Sequence, residues 1–172
     1  TITIVDNSTA EATTTANMVL QLSNPSAKTI TVEYTVTDAT ATGGADYTAI
    51  TGVQTLNIAP NTQSKNIPIS ILTDSLDEDN ETITVTLTSA INATIARAAG
   101  TLTIQDDDNQ PTIVIGDFTA NSEADGTISI PVSLTVPSSK TITANFETKS
   151  GTAVSGSDFA YQTGTITFNP NQ

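Results

Sequence analysis

Apolar residues recur at every second position in short runs along the first hundred residues. The runs are Ile2/Ile4, Met18/Leu20/Leu22, Ile30/Val32/Tyr34/Val36, Leu56/Ile58, Ile67/Ile69/Ile71, Ile83/Val85/Leu87 and Leu102/Ile104. Successive side chains of a strand point to opposite faces, so each run lines one buried face, and seven runs predict seven strands. Turn residues separate them, as in Asn24-Pro25-Ser26 and Ala59-Pro60-Asn61, and no window sustains a 3.6-residue period. Seven short strands joined by turns predict an all-β, immunoglobulin-like antiparallel β-sandwich.

The pattern then starts again. Lys28-Thr29-Ile30-Thr31 returns as Lys140-Thr141-Ile142-Thr143, Gly44-Ala45-Asp46-Tyr47 as Gly156-Ser157-Asp158-Phe159, and Thr51-Gly52 as Thr163-Gly164, each 112 residues on. Thr1-Ile2-Thr3-Ile4 meets Thr112-Ile113-Val114-Ile115 at an offset of 111. The expected organisation is a tandem: a complete repeat over 1–108, a linker over 109–111, and the first half of a second repeat over 112–172. Such a half repeat supplies about four strands. It leaves faces such as Ile128/Ile130/Val132/Leu134 and Ile142/Phe146 without a covering sheet, so pairing with another molecule is expected there.

Charge narrows the function. Eighteen acidic residues against five cations give a net charge of −13, which excludes a nucleic-acid backbone or an anionic membrane as partner. With no Cys and no His, disulfides, thiolate sites and imidazole bases are absent. No apolar run approaches the ~20 residues of a membrane-spanning helix. The chain starts at Thr1 rather than Met, and reads as a fragment of a longer protein. Its Thr-rich, acidic, Lys-poor composition suits an extracellular or cell-surface location.

If each connection reverses direction, loops fall at alternate ends of the sandwich. One end then collects 24–28, 59–65 and 90–99, with every cation of the first repeat and no acid. The other collects Asp6, Glu11, Asp38, Asp46, Asp74, Asp77, Glu78, Asp79, Glu81 and Asp106-Asp107-Asp108. Two carboxylates 4 Å apart repel by ~4 kcal/mol at an effective dielectric near 20, so this end calls for a counter-ion. An oxygen-only ligand set on several loops suits calcium, with its 6 to 8 ligands, better than rigidly octahedral magnesium. The plainer alternative is a solvated acidic face that keeps the protein soluble, with Asp46 capping a turn and Glu81 flanking a strand.

Three of these segments carry a resemblance: Gly44-Ala45-Asp46-Tyr47, the run Asp74-Ser75-Leu76-Asp77-Glu78-Asp79-Asn80-Glu81-Thr82, and the closing Thr103-Ile104-Gln105-Asp106-Asp107-Asp108. Together they resemble the Calx-beta repeats of sodium-calcium exchangers and the beta-4 integrin subunit, over essentially the whole chain. The resemblance implies Ca2+ as cofactor, with Glu11, Asp46, Asp74, the Leu76 carbonyl, Glu78, Asp106, Asp107 and Asp108 as ligands. Thr73 and Ser75 stand where members of the family carry further acids, which implies fewer ions here. In the second repeat the resemblance extends to Glu123 and Asp158.

An enzyme is not expected. A glycosidase needs two carboxylates about 5 to 9.5 Å apart in a substrate cleft, and with 4% aromatic residues the chain has few platforms on which a sugar stacks. Thr-x-Thr pairs such as Thr29/Thr31, Thr84/Thr86 and Thr141/Thr143 suggest a hydroxyl array, but threonine also suits the solvent face of any strand. Sequons at Asn7, Asn80 and Asn92 are common by chance in such a sequence. The expected role is a calcium-binding structural or adhesion module of a larger repetitive surface protein, with calcium stiffening the junction between repeats stacked head to tail. Its partners are calcium ions, neighbouring repeats and a protein partner in adhesion. A calcium-sensing regulatory module of a transporter or signalling protein is the alternative.

Overall fold

The computed structural model describes residues 1–120, 122 and 126–172. Contacts divide them into two units, Thr1–Asp74 with Asp79–Asp107, and Ser75–Glu78 with Asp108–Gln172. All regular structure among the described residues is β.

The first unit has nine strands: β1 (Ile2–Val5), β2 (Asn7–Ala10), β3 (Thr15–Leu22), β4 (Ile30–Asp38), β5 (Gln54–Ile58), β6 (Ser64–Ser70), β7 (Glu81–Ile91), β8 (Ile95–Arg97) and β9 (Ala99–Gln105). They form a four-stranded sheet, β6-β3-β1-β8, and a five-stranded sheet, β2-β9-β7-β4-β5. Seven of them are the strands that the alternation predicts. Of the other two, β2 arises because the first strand changes sheet at Asp6, β1 pairing antiparallel with β3 whereas β2 pairs parallel with β9, and β8 is a short strand between β7 and β9. A second parallel pairing joins β1 to β8, so an otherwise antiparallel sandwich carries parallel partners along these edges.

Alternate residues of both sheets meet in one core. Met18 and Leu20 from β3, Val32 from β4, Ile67 and Ile69 from β6, Ile83 and Val85 from β7 and Leu102 from β9 are fully buried. Each buried aliphatic side chain of this kind stabilises the fold by roughly 1.5–3 kcal/mol. Gly100 of β9 lies in this layer, where a Cβ would sit 2.9 Å from Ile4 Cγ1 and 3.0 Å from Met18 Cε. Pro68, which cannot donate to a ladder, is placed in β6 at a sheet edge.

Register sets two poles. Ile2 faces Leu22, Ile30 faces Ile58 and Thr31 faces Ile91, which gathers the turns after β3, β5 and β7 at one end. Thr15 faces Ser70, Ala10 faces Gln105, and Glu81 faces Ile104, which gathers the acidic loops at the other. At this pole Glu11 N–H donates to the Gln105 carbonyl at 2.8 Å, extending the β2–β9 pairing, and Ile71 N–H to the Thr14 carbonyl at 3.2 Å, extending the β3–β6 pairing.

The second unit contains β10 (Ile113–Ile115) paired with β11 (Val132–Leu134), and β12 (Ile142–Glu147) paired with β13 (Thr163–Phe168), all antiparallel. Its β12–β13 pair repeats the β4–β5 pair of the first unit in the same register, Ile142 facing Phe168 as Ile30 faces Ile58. The connection between the paired strands is two residues shorter, so that the offset of 112 at Lys140 falls to 110 at Asn171, which shares its positive φ with Asn61. Among the described residues this unit buries none of its large apolar side chains, and Ile115, Ile128, Ile130 and Phe146 are exposed. Its two buried residues among those described are Asp77 and Ser138.

Candidate metal centre

The loop between β4 and β5 is built around two carboxylates. Asp38 Oδ1 accepts from Gly43 N–H at 3.0 Å and from the Tyr47 hydroxyl at 2.5 Å. Burial, with the Asp38 carboxylate alongside, pushes the Tyr47 phenol up to about 12. Asp46 Oδ2 accepts from Thr42 N–H at 2.6 Å, and Gly44, at φ 98°, supplies the left-handed residue that the turn needs. The same turn recurs in the second unit, where Asp158 Oδ2 accepts from Val154 N–H at 2.7 Å and Gly156 has φ 88°. Asp46 thus caps its turn, and its carbonyl also accepts from Leu72 N–H at 3.0 Å, tying this loop to the end of β6.

Glu11, just after β2, is 7% exposed, and its Oε1 accepts from Asp74 N–H at 3.1 Å. Carboxylate oxygens of Glu11 and Asp106 lie within 4.8 Å of each other, as do those of Asp46 and Glu81. Asp106 N–H is held by Asn80 Oδ1 at 3.1 Å, whereas Asp106 Oδ1 is buried with no hydrogen-bond partner among the described residues. A buried, unpartnered anionic oxygen facing a second carboxylate is costly in a protein. At 4.8 Å the repulsion alone is about 3.5 kcal/mol for an effective dielectric near 20. A hard cation relieves both costs, and oxygen donors are the set that it takes.

The first unit therefore brings Glu11 to Asp106 and to the Asp74 amide, and Asp46 to Glu81. The Asp74 and Asp107 residues are exposed. Leu76, Glu78 and Asp108 are half-buried and belong to segments of the second unit, where the Glu78 carbonyl accepts from Lys140 Nζ at 2.9 Å. Along the chain Asp108 follows Asp106 by two residues and Glu78 precedes Glu81 by three, so each pair has a further carboxylate close by in sequence. Glu123, expected to act with Asp158, lies outside the described residues.

Three acids behave differently from their place in the charge pattern. Glu81, the first residue of β7, joins Asp46, where the sequence left it as a strand flank or a ligand. Asp6 does not belong with the acidic loops: at the point where the first strand changes sheet, it takes Arg97 Nη2 at 2.6 Å and Thr101 N–H at 2.8 Å. The Arg97 hydrogen bond and the Thr101 amide hold its carboxyl below the usual range. Asp77 is not a free ligand either. Within the second unit it accepts from Ser138 Oγ at 2.6 Å and pairs with Lys140 Nζ at 2.9 Å. These two bonds lower its pKa against the opposing effect of burial.

An immunoglobulin-like sandwich with carboxylates gathered on the loops of one pole, followed by a second copy of its strand pattern, defines a tandem β-repeat protein. The chain belongs to the Calx-beta domain family, which it matches over residues 1–108 and again over 106–172. Solved structures similar to it include the calcium binding domain CBD12 of CALX1.1, at 17% identity and a TM-score of 0.57 over 99% of this chain and 71% of that one. CBD12 from CALX1.2 is similar at 19% identity and a TM-score of 0.56, over 99% of this chain and 72% of that one. The apo form of the Calx CBD1 domain is similar at 19% identity and 0.53, over 62% of this chain and 96% of that one. Comparison with curated proteins finds no match.

Proposed function

We propose that this chain is a calcium-binding structural or adhesion module of a larger repetitive cell-surface or secreted protein. The buried, unpartnered Asp106 Oδ1 beside the Glu11 carboxylate carries the reading, because it identifies a position that is unfavourable until a cation occupies it. The similar CBD12 structure is that of a calcium binding domain, which favours calcium among hard cations. Ligands would come from Glu11, Asp46, Asp74, the Leu76 carbonyl, Glu78, Asp106, Asp107 and Asp108, with Glu81 added by its place beside Asp46. Bound calcium supplies positive charge that draws these oxygens together. The chain's own part is to hold Glu11 just after β2, Asp46 on a capped turn and Asp106 just after β9, so that the ligands converge from the ends of rigid elements.

Repeat one is proposed to span 1–108, with 109–111 linking it to the repeat at 112–172. Ordering Asp106 to Asp108 fixes the residues from which that linker leaves, which is how calcium would stiffen the string. Partners on this reading are adjoining repeats and an adhesion partner, with pairing between molecules through the exposed strands of the second unit; the role is binding rather than catalysis. Similarity to CBD12, described as coming from CALX, supports a second reading as a calcium-sensing regulatory module.

Calorimetric titration of the chelator-stripped chain tests both. Binding at ~10⁻⁴ to 10⁻³ M supports the extracellular module and ~10⁻⁷ to 10⁻⁵ M the sensor. Absence of calcium-dependent heat at millimolar concentrations rejects both.

A further inference from the structure

In the second unit the turn Pro137-Ser138-Ser139-Lys140 is a cradle for one aspartate. Ser138 Oγ donates to Asp77 Oδ2 at 2.6 Å, Ser139 N–H to the Asp77 carbonyl at 3.0 Å, and Lys140 Nζ to Asp77 Oδ1 and the Glu78 carbonyl at 2.9 Å each. Every donor is aimed at an Asp-Glu dipeptide, and the aspartate is 2% exposed.

The first unit has the same turn 112 residues earlier, Pro25-Ser26-Ala27-Lys28. Its internal bonding is the same. Lys28 N–H donates to Ser26 Oγ at 3.0 Å, as Lys140 N–H does to Ser138 Oγ at 3.1 Å. Asn61 N–H donates to the Ser26 carbonyl at 2.7 Å, as Asn171 N–H does to the Ser138 carbonyl at 2.8 Å. The cradle is therefore preformed, and among the described residues the Ser26 hydroxyl, the Ala27 amide and the Lys28 ammonium donate to no other segment. Ala27 and Lys28 are exposed. Only the 3.4 Å bond from Ser139 Oγ to the Asp77 carbonyl lacks a counterpart, because Ala27 has no hydroxyl.

We infer that Ser26, Ala27 and Lys28 form a docking site for the acidic Asp-Glu loop of another Calx-beta repeat. The occupant is set by chemistry: one carboxylate to take the hydroxyl and the ammonium, its own carbonyl to take the amide, and a following carbonyl to take the second ammonium proton. A serine hydroxyl placed for the carboxylate and an amide placed for the same residue's carbonyl read an aspartate with fixed geometry, which distinguishes this site from a lone surface lysine. The inference does not depend on calcium, since none of the cradle groups is a carboxylate.

The probe is a capped peptide of residues 73–81, titrated in EDTA into the full chain while backbone amide shifts are followed. The expected result is saturable shifts confined to Ser26, Ala27, Lys28 and the Asn61 amide. The Ser138 to Lys140 cradle should stay unchanged, because its own tethered Asp77 outcompetes a free peptide. Lys28→Ala and Ser26→Ala should each weaken binding by about tenfold, the loss expected of one charge-assisted hydrogen bond, while Lys65→Ala leaves it unchanged. An Asp77→Asn peptide should bind as weakly as the peptide does to Lys28→Ala. Absence of shifts at this turn, equal loss with Lys65→Ala, or an Asn peptide that binds as well as the Asp peptide would overturn the inference.

Discussion

Asp77 Oδ1 and Lys140 Nζ meet at 2.9 Å although 63 residues separate them in the chain, and Asp77 is buried while Lys140 remains about one-third exposed. The pair explains why an acid in the middle of the run Asp74 to Glu81 is withdrawn from metal binding.

It also fixes a pH dependence. Asp77 is held below the ordinary carboxylate range, so its contribution to stability is complete above the unfolded value near ~3.9 and is lost as pH falls through the lower folded value. In EDTA, wild type should exceed Asp77→Asn in stability by a constant amount above about pH 5, and the difference should shrink below it. Carboxyl carbon NMR should give Asp77 a midpoint below that of an unfolded peptide; a midpoint at or above the peptide's contradicts the bonding described.

Tyr47 titrates in the opposite sense. Its folded pKa is raised to about 12, so the stability linked to its neutral form is present below the unfolded value near ~10 and is lost as pH rises through the folded one. Ultraviolet difference titration of wild type against Tyr47→Phe should place the ionisation of this phenol at about 12. Tyr47→Phe, which removes the bond to Asp38, should cost about 1 kcal/mol at neutral pH by urea denaturation. A neutral or stabilising Phe would show that Asp38 does not depend on the phenol.

Gly100→Ala tests the core. An added methyl would lie 2.9 Å from Ile4 Cγ1, part of a β-branched side chain buried inside the sandwich, and 3.0 Å from Met18 Cε. A loss of roughly 1–3 kcal/mol in urea denaturation is expected, and Ile4→Ala, which removes the crowding γ carbons, should cost less in this background than in wild type, making the double mutant non-additive. Simple additivity would mean that the two residues do not touch.

Much of this was legible in the sequence, and the exceptions have physical causes. Alternation marks a strand only where one face is apolar and the strand is long enough to show it. Asn7-Ser8-Thr9-Ala10 has no such face and Ile95-Ala96-Arg97 has too few residues, so β2 and β8 were hidden. Because β2 leaves its sheet at Asp6, loop parity carried Asp6 to the wrong neighbours and missed Arg97. Parity held for Glu11, Asp46, Asp74 and Asp106, whose strands keep to one sheet near the pole. Asp77 could not be read locally, since its partners Ser138 and Lys140 come from the following repeat, and Glu81 was ambiguous because a strand's first residue faces either a loop or the ladder.

Asp106→Asn should change sign with calcium. Without the ion it relieves repulsion with Glu11, so in EDTA the variant should be as stable as wild type or more so by up to about 1 kcal/mol. In millimolar calcium it should be the less stable of the two by roughly 1–3 kcal/mol, because a ligand charge is gone. Urea denaturation under both conditions measures this, and the same sign in both would separate Asp106 from the metal.

Whether calcium completes the acidic pole of the first repeat is read from thermal unfolding of the chain in EDTA and in calcium. An ion that binds only the folded state contributes about 2.7 kcal/mol at a hundredfold excess over Kd. Melting of the first unit should therefore rise by roughly 10 °C, with a smaller rise in magnesium and none for the Glu11→Gln, Asp106→Asn double variant. Superimposable melts of the wild-type chain in EDTA and in millimolar calcium would contradict the account.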